Sequence, residues 1–575
     1  MTPAPITRHF LPLTYPGADG RQVHYRRAGS GPALILMHPS PNSSASMTGA
    51  INAFSSAFTC IALDTPGYGL SDAIVDDATL LWGYADALAQ IMDALKLDQA
   101  FIYGAATGAQ IGVQFARRYP SRVHVLLLDA NGDFTDEDIS DGYFRDITPR
   151  RDGSHLLTIW DMCRHLSVFF PWQSTRAEHR LDVDVASPVW IQHSVNDYLR
   201  AGPSYKDAYY QAMLVERWEH TREVKVPVLM TRNAGSALLR HTDALIAKGL
   251  PGNFTILQCE PRNRYPMQLT ALQAWMAGKS YPSAPPAPAD VQPKSARIQN
   301  MYLKARGGHV RARVNLAGAG RPLVALHDPA GAASLVEPVI APYVGRRPVI
   351  ALDLPGNGES DNLIGDPAFG GSPDAITSAN YAAIVNEALA GAGLDSVDVF
   401  GRYSGGPVAM EMSFQAPKRV ARLALAGIGM YEGEEQKSLM DNYTPSIAPK
   451  WDGSHLVTAW AIMRDQGLFW PWFNRTRAGI LRADNAIDVA MIHLRVTEML
   501  KIGDQYQKAY GAMWTYPMRA KLPQLKHPTL ICAPAWEPIY AKMAACHDVA
   551  PQTRTAVLPP RMGEWWRVMD DFWTS

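Results

Sequence analysis

The sequence contains two copies of one long pattern, and this duplication limits the possible folds more than any other feature. The segment DTPGYGLSD at 64–72 returns as DLPGNGESD at 353–361, and DGSHL at 152–156 returns at 452–456. After each DGSHL come a Trp, an Arg and a Pro-Trp pair, which are Trp160, Arg164, Pro171 and Trp172 in the first copy and Trp460, Arg464, Pro471 and Trp472 in the second. A period of about 290 to 300 residues predicts two similar domains.

The two copies are separated by a proline-rich segment, YPSAPPAPADVQPKSA, at 281–296. Such segments form extended, semi-rigid spacers. We therefore predict a first domain over 1–280, a linker over 281–296 and a second domain over 297–575.

Short apolar runs alternate with helical stretches in each copy, which predicts an α/β fold with a doubly wound, parallel sheet. The predicted strands are 33–37, 60–63, 100–103, 123–128 and 227–230 in the first copy, and 323–326, 349–352, 397–400, 422–426 and 529–532 in the second. Between the fourth and fifth strands lies an insert of roughly 90 residues, too long for a loop in a compact domain. We predict a mostly helical cap there, over about 131–224 and about 428–524.

Composition excludes several classes of partner. The 54 basic residues balance 54 acidic ones, so the chain lacks the positive excess of a nucleic-acid-binding protein. No apolar run is long enough to span a bilayer, and the N-terminal segment lacks the pattern of a secretory signal. We expect a cytoplasmic protein with a small-molecule ligand and no membrane partner. The five scattered cysteines and the histidines show no metal-ligand spacing, and no phosphate loop is present, so we predict no metal and no cofactor.

Three motifs occur in the same order in both copies and resemble those of the α/β-hydrolase superfamily. A loop with His follows the first predicted strand (38–40 and 327–329), and a D-x-P-G-x-G turn follows the second. A glycine-rich turn from strand to helix follows the third (104–108 and 401–405). The resemblance covers both halves and implies two tandem α/β-hydrolase-like domains, in which the third motif is the nucleophile elbow, G-x-S-x-G.

Neither elbow carries the serine that this resemblance implies. The first centres on Ala106, whose methyl group cannot form a covalent intermediate, and Thr107 lies one position too late. The second centres on Tyr403, followed by Ser404. A phenol has a pKa of about 10, so Tyr403 would need a nearby cation such as Arg402 to ionise at neutral pH.

The other triad positions are only partly filled. Counting along the strand after the cap, the acid position of the family falls on Glu537 in the second domain and on Ser236 in the first. The family's His follows the last strand, where the sequence reads TILQCEPRNRYP in the first domain and TAVLPPRMGEWW in the second. Neither segment contains His, so the usual acyl-transfer mechanism lacks its base in both domains.

Polar residues that recur in both caps are candidates to replace the missing groups. They are Asp152, His155 and Arg164 in the first cap, and Asp452, His455 and Arg464 in the second. A cap His could act as general base over the elbow, and a cap Arg could bind a carboxylate or an enolate oxygen. The alternatives are structural, because Asp and Ser cap helices, Arg pairs with neighbouring carboxylates and Trp belongs to cores.

Two hypotheses about function follow. The first is an enzyme of hydrolase or lyase type without a Ser-His-Asp triad, acting on a small apolar or aromatic carbonyl or ester compound. Its catalytic residues would be Tyr403, Ser404, His455 and Glu537. The residues expected to bind substrate or line an anion pocket are His327, Arg402, Asp452, Trp460 and Arg464, with His38, Ala106, Thr107, His155 and Arg164 in the first domain. The second hypothesis is a degenerate hydrolase pair that binds a small ligand without converting it. We expect the two domains to form an intramolecular pair.

Overall fold

The computed structural model describes residues 4–13, 20–73, 80–139, 142–288, 296–482 and 487–574. The chain divides into two compact units. Domain 1 comprises Met1–Thr148 and Ser154–Val291, and domain 2 comprises Pro149–Gly153 and Gln292–Ser575. The division after Val291 falls within the predicted linker, of which 289–295 lie outside the described residues.

Domain 1 is built on an eight-stranded sheet in the order β1-β2-β4-β3-β5-β6-β7-β8. Strands β1 and β2 pair antiparallel, as do β2 and β4, and the other pairs are parallel. The strands are β1 (Thr7–Pro12), β2 (Gln22–Ala28), β3 (Ala33–Met37), β4 (Thr59–Leu63), β5 (Ala100–Ala105), β6 (Val123–Asp129), β7 (Val228–Asn233) and β8 (Phe254–Cys259).

Domain 2 repeats this sheet, in the order β9-β10-β12-β11-β13-β14-β15-β16 read from the same edge. Its strands are β9 (Gln299–Ala305), β10 (Gly308–Asn315), β11 (Leu323–Leu326), β12 (Val349–Leu352), β13 (Val397–Arg402), β14 (Val420–Ala426), β15 (Thr529–Pro534) and β16 (Arg554–Leu558). The prediction of two tandem α/β-hydrolase-like domains is thus confirmed. Each sheet is mixed, because one strand near one edge, β2 in domain 1 and β10 in domain 2, runs antiparallel to both of its neighbours, whereas the predicted strands pair in parallel.

Helices flank both sheets and form the predicted caps. Domain 1 has α1 (Thr48–Phe54), α2 (Leu81–Ala94), α3 (Thr107–Arg118), α4 (Ser154–Leu166), α5 (Pro188–Ala201), α6 (Asp207–Leu214), α7 (Trp218–Arg222), α8 (Leu239–Ala247) and α9 (Arg264–Met276). Domain 2 has α10 (Ala333–Ile340), α11 (Ser378–Gly391), α12 (Gly405–Gln415), α13 (Gly433–Asn442), α14 (Ser454–Asp465), α15 (Val489–Ile502), α16 (Tyr506–Trp514), α17 (Met518–Lys521), α18 (Tyr540–Val549) and α19 (Trp566–Thr574). The caps are α4–α7, between β6 and β7, and α13–α17, between β14 and β15.

The central strands are buried on both faces, which explains their continuous apolar runs. Along β3, Ile35 and Met37 belong to the core on one face of the sheet, and Leu34 and Leu36 belong to the core on the other. Strand β11 divides its residues between two cores in the same way. Helices on both faces of a parallel sheet produce this pattern.

Side chains of the histidine loops and the D-x-P-G turns form hydrogen bonds to the backbone at the carboxyl ends of the strands. In domain 2 the Nε2 atom of His327 accepts a hydrogen bond from the Leu354 N–H (2.9 Å), and Nδ1 donates to the carbonyl oxygen of Asp328 (2.7 Å). The carboxylate of Asp353 accepts from the N–H groups of Ala333 (2.7 Å) and Glu359 (2.8 Å). In domain 1, His38 makes the corresponding bonds to the backbone. These side chains therefore have a structural role, because their hydrogen bonds fix the loop that lies beside the elbow.

Candidate active site

The turn between β13 and α12 holds Tyr403 in a strained conformation, with φ +48°. The two flanking glycines are required by close approach of the backbone. A Cβ at Gly401 would lie 2.3 Å from the carbonyl oxygen of Gly405, and a Cβ at Gly405 would lie 2.6 Å from that of Leu326. A sharp turn with a positive φ at its centre is the geometry of a nucleophile elbow. Here a tyrosine occupies the centre.

Tyr403 lies beside a cavity of about 310 Å³ in domain 2. Its polar floor is formed at the carboxyl ends of parallel strands, where α/β folds place their ligands. Asp328 follows β11, Arg402 ends β13 and Glu537 follows β15. The cap contributes Arg495 from α15 and most of the aromatic wall, which consists of Tyr431, Tyr443, Trp470, Tyr510, Trp514 and Trp536. The cavity thus suits a largely apolar or aromatic molecule with a few polar atoms.

Two arginines and two carboxylates share the floor. The guanidinium of Arg402 lies over the Tyr403 ring, 4.6 Å from its centroid. Its Nη1 is 3.8 Å from Oδ1 of Asp328, and its Nη2 is 3.7 Å from Oε1 of Glu537. Arg495 donates a hydrogen bond from Nη2 to Oδ2 of Asp328 (3.1 Å). The charges therefore compensate one another within the site.

The surroundings shift the acid–base properties of these groups in different directions. Burial, with the nearby Glu537 carboxylate, raises the pKa of Tyr403 despite the opposing charge of Arg402. Burial also raises the pKa of Glu537, against the lowering effect of Arg402 and of the contact with the Tyr403 hydroxyl. At Asp328, burial is outweighed by Arg402 and Arg495, which hold the pKa below its usual range. The nearby Arg402 therefore does not bring the pKa of Tyr403 below that of a free phenol, and the condition for its ionisation at neutral pH is not met.

The family model described as the alpha/beta hydrolase fold matches residues 32–160 and 323–521. The chain belongs to this family. Its membership rests on both halves, and each matched segment includes the elbow of its domain.

Relatives of this α/β-hydrolase chain include enzymes that cleave oxo-dienoates. A 2-hydroxy-6-oxononadienedioate/2-hydroxy-6-oxononatrienedioate hydrolase of Burkholderia vietnamiensis is 35% identical over 131 residues, which are 22% of this chain and 45% of the relative. A 2-hydroxy-6-oxo-6-phenylhexa-2,4-dienoate hydrolase of Burkholderia cepacia is 31% identical over 130 residues, 22% of this chain and 46% of the relative. The chain spans less than half the length of these curated relatives. Among solved structures, a bromoperoxidase from Bacillus anthracis has 16% identity and a TM-score of 0.38, covering 48% of this chain and 100% of its own.

Of the residues predicted for the hydrolase site of domain 2, three line the cavity: Arg402, Tyr403 and Glu537. Ser404 is buried beside a separate, much smaller internal cavity, which His327 also lines. The elbow therefore presents its central residue to the ligand cavity and turns the following one away, as its geometry requires.

The proposed base, His455, lies outside the cavity lining. It is fully buried at the start of α14, and its Nδ1 accepts a hydrogen bond from the Lys450 N–H (3.2 Å). Burial lowers the pKa of His455 to about 4. Trp460 is buried on the same helix and does not line the cavity either. None of the histidines in the described ranges contributes to the cavity wall.

Asp452 and Arg464 have the structural roles that the sequence left open as alternatives. Oδ1 of Asp452 accepts a hydrogen bond from the Ser454 N–H (3.0 Å) at the first turn of α14. Arg464 donates from Nη1 to the carboxylate of Asp465 (2.8 Å). Neither side chain reaches the cavity lining.

The predicted residues of domain 1 do not include a reactive group at the elbow. Ala106 occupies the elbow centre with φ +49°, and Thr107 is buried as the first residue of α3. His155 is fully buried on α4, and Arg164 donates from Nη2 to the carboxylate of Asp161 (2.8 Å).

Comparing the two domains reveals two site residues that the sequence analysis missed, Asp328 and Arg495. The cavity floor of domain 2 carries Asp328, Arg402, Tyr403, Arg495 and Glu537, and the same places in the elements of domain 1 hold Pro39, Ala105, Ala106, Ser194 and Ser236. Every ionisable group of this floor is thus replaced by an uncharged residue. The sequence could have identified these residues, because the two similar copies differ at all five of these positions in the same way.

Among the helices of the described residues, none is long and apolar enough to cross a membrane. No group of three or more His, Cys, Asp or Glu side chains is placed to hold a metal ion, again counting only the described ranges.

Proposed function

We propose that domain 2 is a hydrolase or lyase of the α/β-hydrolase fold that acts on a small apolar or aromatic carbonyl or ester compound without a Ser-His-Asp triad. The observation that carries this proposal is that Tyr403 and Glu537 both line the floor of one aromatic cavity. The two residues occupy the elbow centre and the acid position of the family.

The chemistry follows from the protonation states. As a phenol, Tyr403 donates a hydrogen bond to a substrate carbonyl oxygen and stabilises the negative charge that develops there. Burial raises the pKa of Glu537, which makes its carboxylate a stronger base than that of an exposed Glu and suits it to proton exchange with the substrate. In a hydrolase it removes a proton from the attacking water, and in a lyase it removes one from the carbon next to the carbonyl. Neither route requires a serine nucleophile or a histidine.

The relatives support the class of substrate. The name of the Burkholderia cepacia enzyme describes a compound with a phenyl group, a ketone and a carboxylate. The phenyl group of such a molecule matches the aromatic wall of the cavity, and its ketone could accept a hydrogen bond from Tyr403 at the floor. We therefore include aromatic keto acids among the substrates to be tested.

The experiment is a substrate screen on the full chain and its Tyr403→Phe variant. Chromogenic esters, lactones, β-diketones and aromatic keto acids cover the proposed class. Phe keeps the ring against Arg402 and removes only the hydroxyl that stabilises the developing negative charge, so we expect turnover to fall by about 10²- to 10³-fold with the fold intact. Tyr516→Phe is the matched control, because the Tyr516 hydroxyl donates to Glu411 (2.9 Å) away from the cavity. Unchanged turnover in Tyr403→Phe would contradict the proposal.

A second candidate function is ligand binding without turnover. It is favoured by two observations on the described residues: no His lines the cavity, and the elbow centres are Ala106 and Tyr403. A ligand that raises the unfolding temperature of the full chain and is recovered unchanged would support this alternative. Product formation that depends on Tyr403 would exclude it.

A further inference from the structure

The two oxygens of the Asp328 carboxylate are satisfied differently. The side chain lies on the cavity floor with 1% of its surface exposed. Oδ2 accepts the hydrogen bond from Arg495, whereas Oδ1 is buried and has no hydrogen-bond partner among the described residues. Most buried side-chain oxygens receive at least one hydrogen bond. Within the described residues, the cavity floor therefore contains a carboxylate oxygen that receives no direct hydrogen bond.

The position of Arg402 shows what kind of atom fits there. Its Nη1 lies 3.8 Å from Oδ1 of Asp328, which is too long for a direct hydrogen bond. An oxygen placed about 2.8 Å from each of the two atoms would bridge them. It must accept a hydrogen bond from Arg402 and donate one to Asp328. A hydroxyl does both, whereas a carbonyl, an ether or a carboxylate cannot donate.

We propose that the ligand of domain 2 carries a neutral hydroxyl, as a phenol, an alcohol or an enol, and that this hydroxyl bridges Arg402 and Asp328. This inference rests on the proposed function, since it uses the same cavity, and it narrows the substrate class to hydroxyl-bearing aromatic or apolar compounds. Asp328 and Arg402 then serve as specificity-determining residues.

The charges around the bridge favour a neutral ligand. Arg402 and Arg495 face the carboxylate of Asp328, and Glu537 lies on the other side of Arg402. The remaining carboxylate of the cavity lining, Asp488, accepts a hydrogen bond from the Met491 N–H (3.0 Å). The floor thus offers no large excess of either sign to an ionic ligand.

The test compares the binding of 2-naphthol and its ether, 2-methoxynaphthalene, to the full chain by equilibrium dialysis. Both present the same aromatic surface, but only 2-naphthol can donate a hydrogen bond. We expect the wild type to bind 2-naphthol at least tenfold more tightly than the ether. In Asp328→Asn this preference should fall below threefold, while Asp452→Asn, which alters a helix cap outside the cavity, should retain it.

The outcomes separate this inference from the proposed function. Equal binding of the two compounds by the wild type, or an undiminished preference in Asp328→Asn, would overturn the hydroxyl bridge alone. The wild-type comparison decides the matter even if Asp328→Asn does not fold. Absence of binding by both compounds would count against the aromatic-ligand cavity, and so against both proposals. A preference for 2-naphthol that depends on Asp328, in a chain that turns over no substrate, would support the bridge and contradict the enzyme.

Discussion

Replacing Ala106 by Gly should stabilise domain 1, because the elbow holds the backbone of Ala106 in a strained conformation. No catalytic side chain would be lost, since Ala106 carries only a methyl group. Ala106 has φ +49° and ψ −112°, a conformation that L-residues rarely adopt. Such a residue costs about 1–3 kcal/mol, and Gly would remove most of this strain. The greater flexibility of Gly in the unfolded chain costs about 0.5–1 kcal/mol. The net expectation is a gain of about 1 kcal/mol in the free energy of unfolding.

Differential scanning calorimetry or urea unfolding of the full chain would measure this gain. A change of 1 kcal/mol corresponds to about 2–4 °C in a domain of this size. Ala105→Gly is the matched control, since Ala105 is the preceding residue, ends β5 and has no positive φ. It should destabilise the domain by about 0.5–1 kcal/mol. If Ala106→Gly were as destabilising as Ala105→Gly, the elbow of domain 1 would not be strained and the reasoning would fail.

Two further predictions concern the dependence of stability on pH. Burial raises the pKa of Glu537, so the folded protein retains a proton that the unfolded chain has released. The free energy of unfolding of the wild type should therefore fall as pH rises above the usual Glu pKa. Glu537→Gln should remove this pH-dependent loss of stability. The free energy of unfolding of the variant, relative to wild type, should therefore increase with pH by about 1.4 kcal/mol for each unit by which the pKa is raised. Urea titrations between pH 4 and 8 would measure this difference. Burial lowers the pKa of His455 to about 4, so stability should be lost as pH falls from about 6.5, the usual His value, towards 4. His455→Gln should flatten this part of the acid-unfolding profile, and an unchanged profile would show that His455 is not the group responsible.

The parts of the fold that sequence predicted well are those whose residues are buried on both sides. Strands β3, β11 and β12 were predicted with the bounds that the structure has, since every position is apolar. The antiparallel strands were missed because polar residues interrupt them, as Arg26 and Arg27 do in β2. A short strand at the edge of a sheet needs no continuous apolar run, and only its pairing with a neighbour identifies it.

The sequence predicted those site residues whose positions follow from local chain geometry. Glycine spacing located the elbow and Tyr403, and counting from the following strand located Glu537. Arg495 lies in the middle of a cap helix, where sequence cannot distinguish a buried charge from a solvated one. His455 was selected because it recurs in both caps, yet its Nδ1 accepts a backbone N–H at the start of its helix. Recurrence between copies therefore marks shared structure as readily as shared chemistry.

The difference between the domains also supports the proposal that domain 2 holds the site. Burying arginines and carboxylates costs several kcal/mol per ion, and apolar or small uncharged replacements are often neutral or stabilising. Domain 1 has such replacements at all five floor positions and still forms the same sheet, cap and elbow. The charges of domain 2 are thus not needed to build this fold. We attribute these charges beside the cavity, where one oxygen of Asp328 has no hydrogen-bond donor among the described residues, to the proposed ligand.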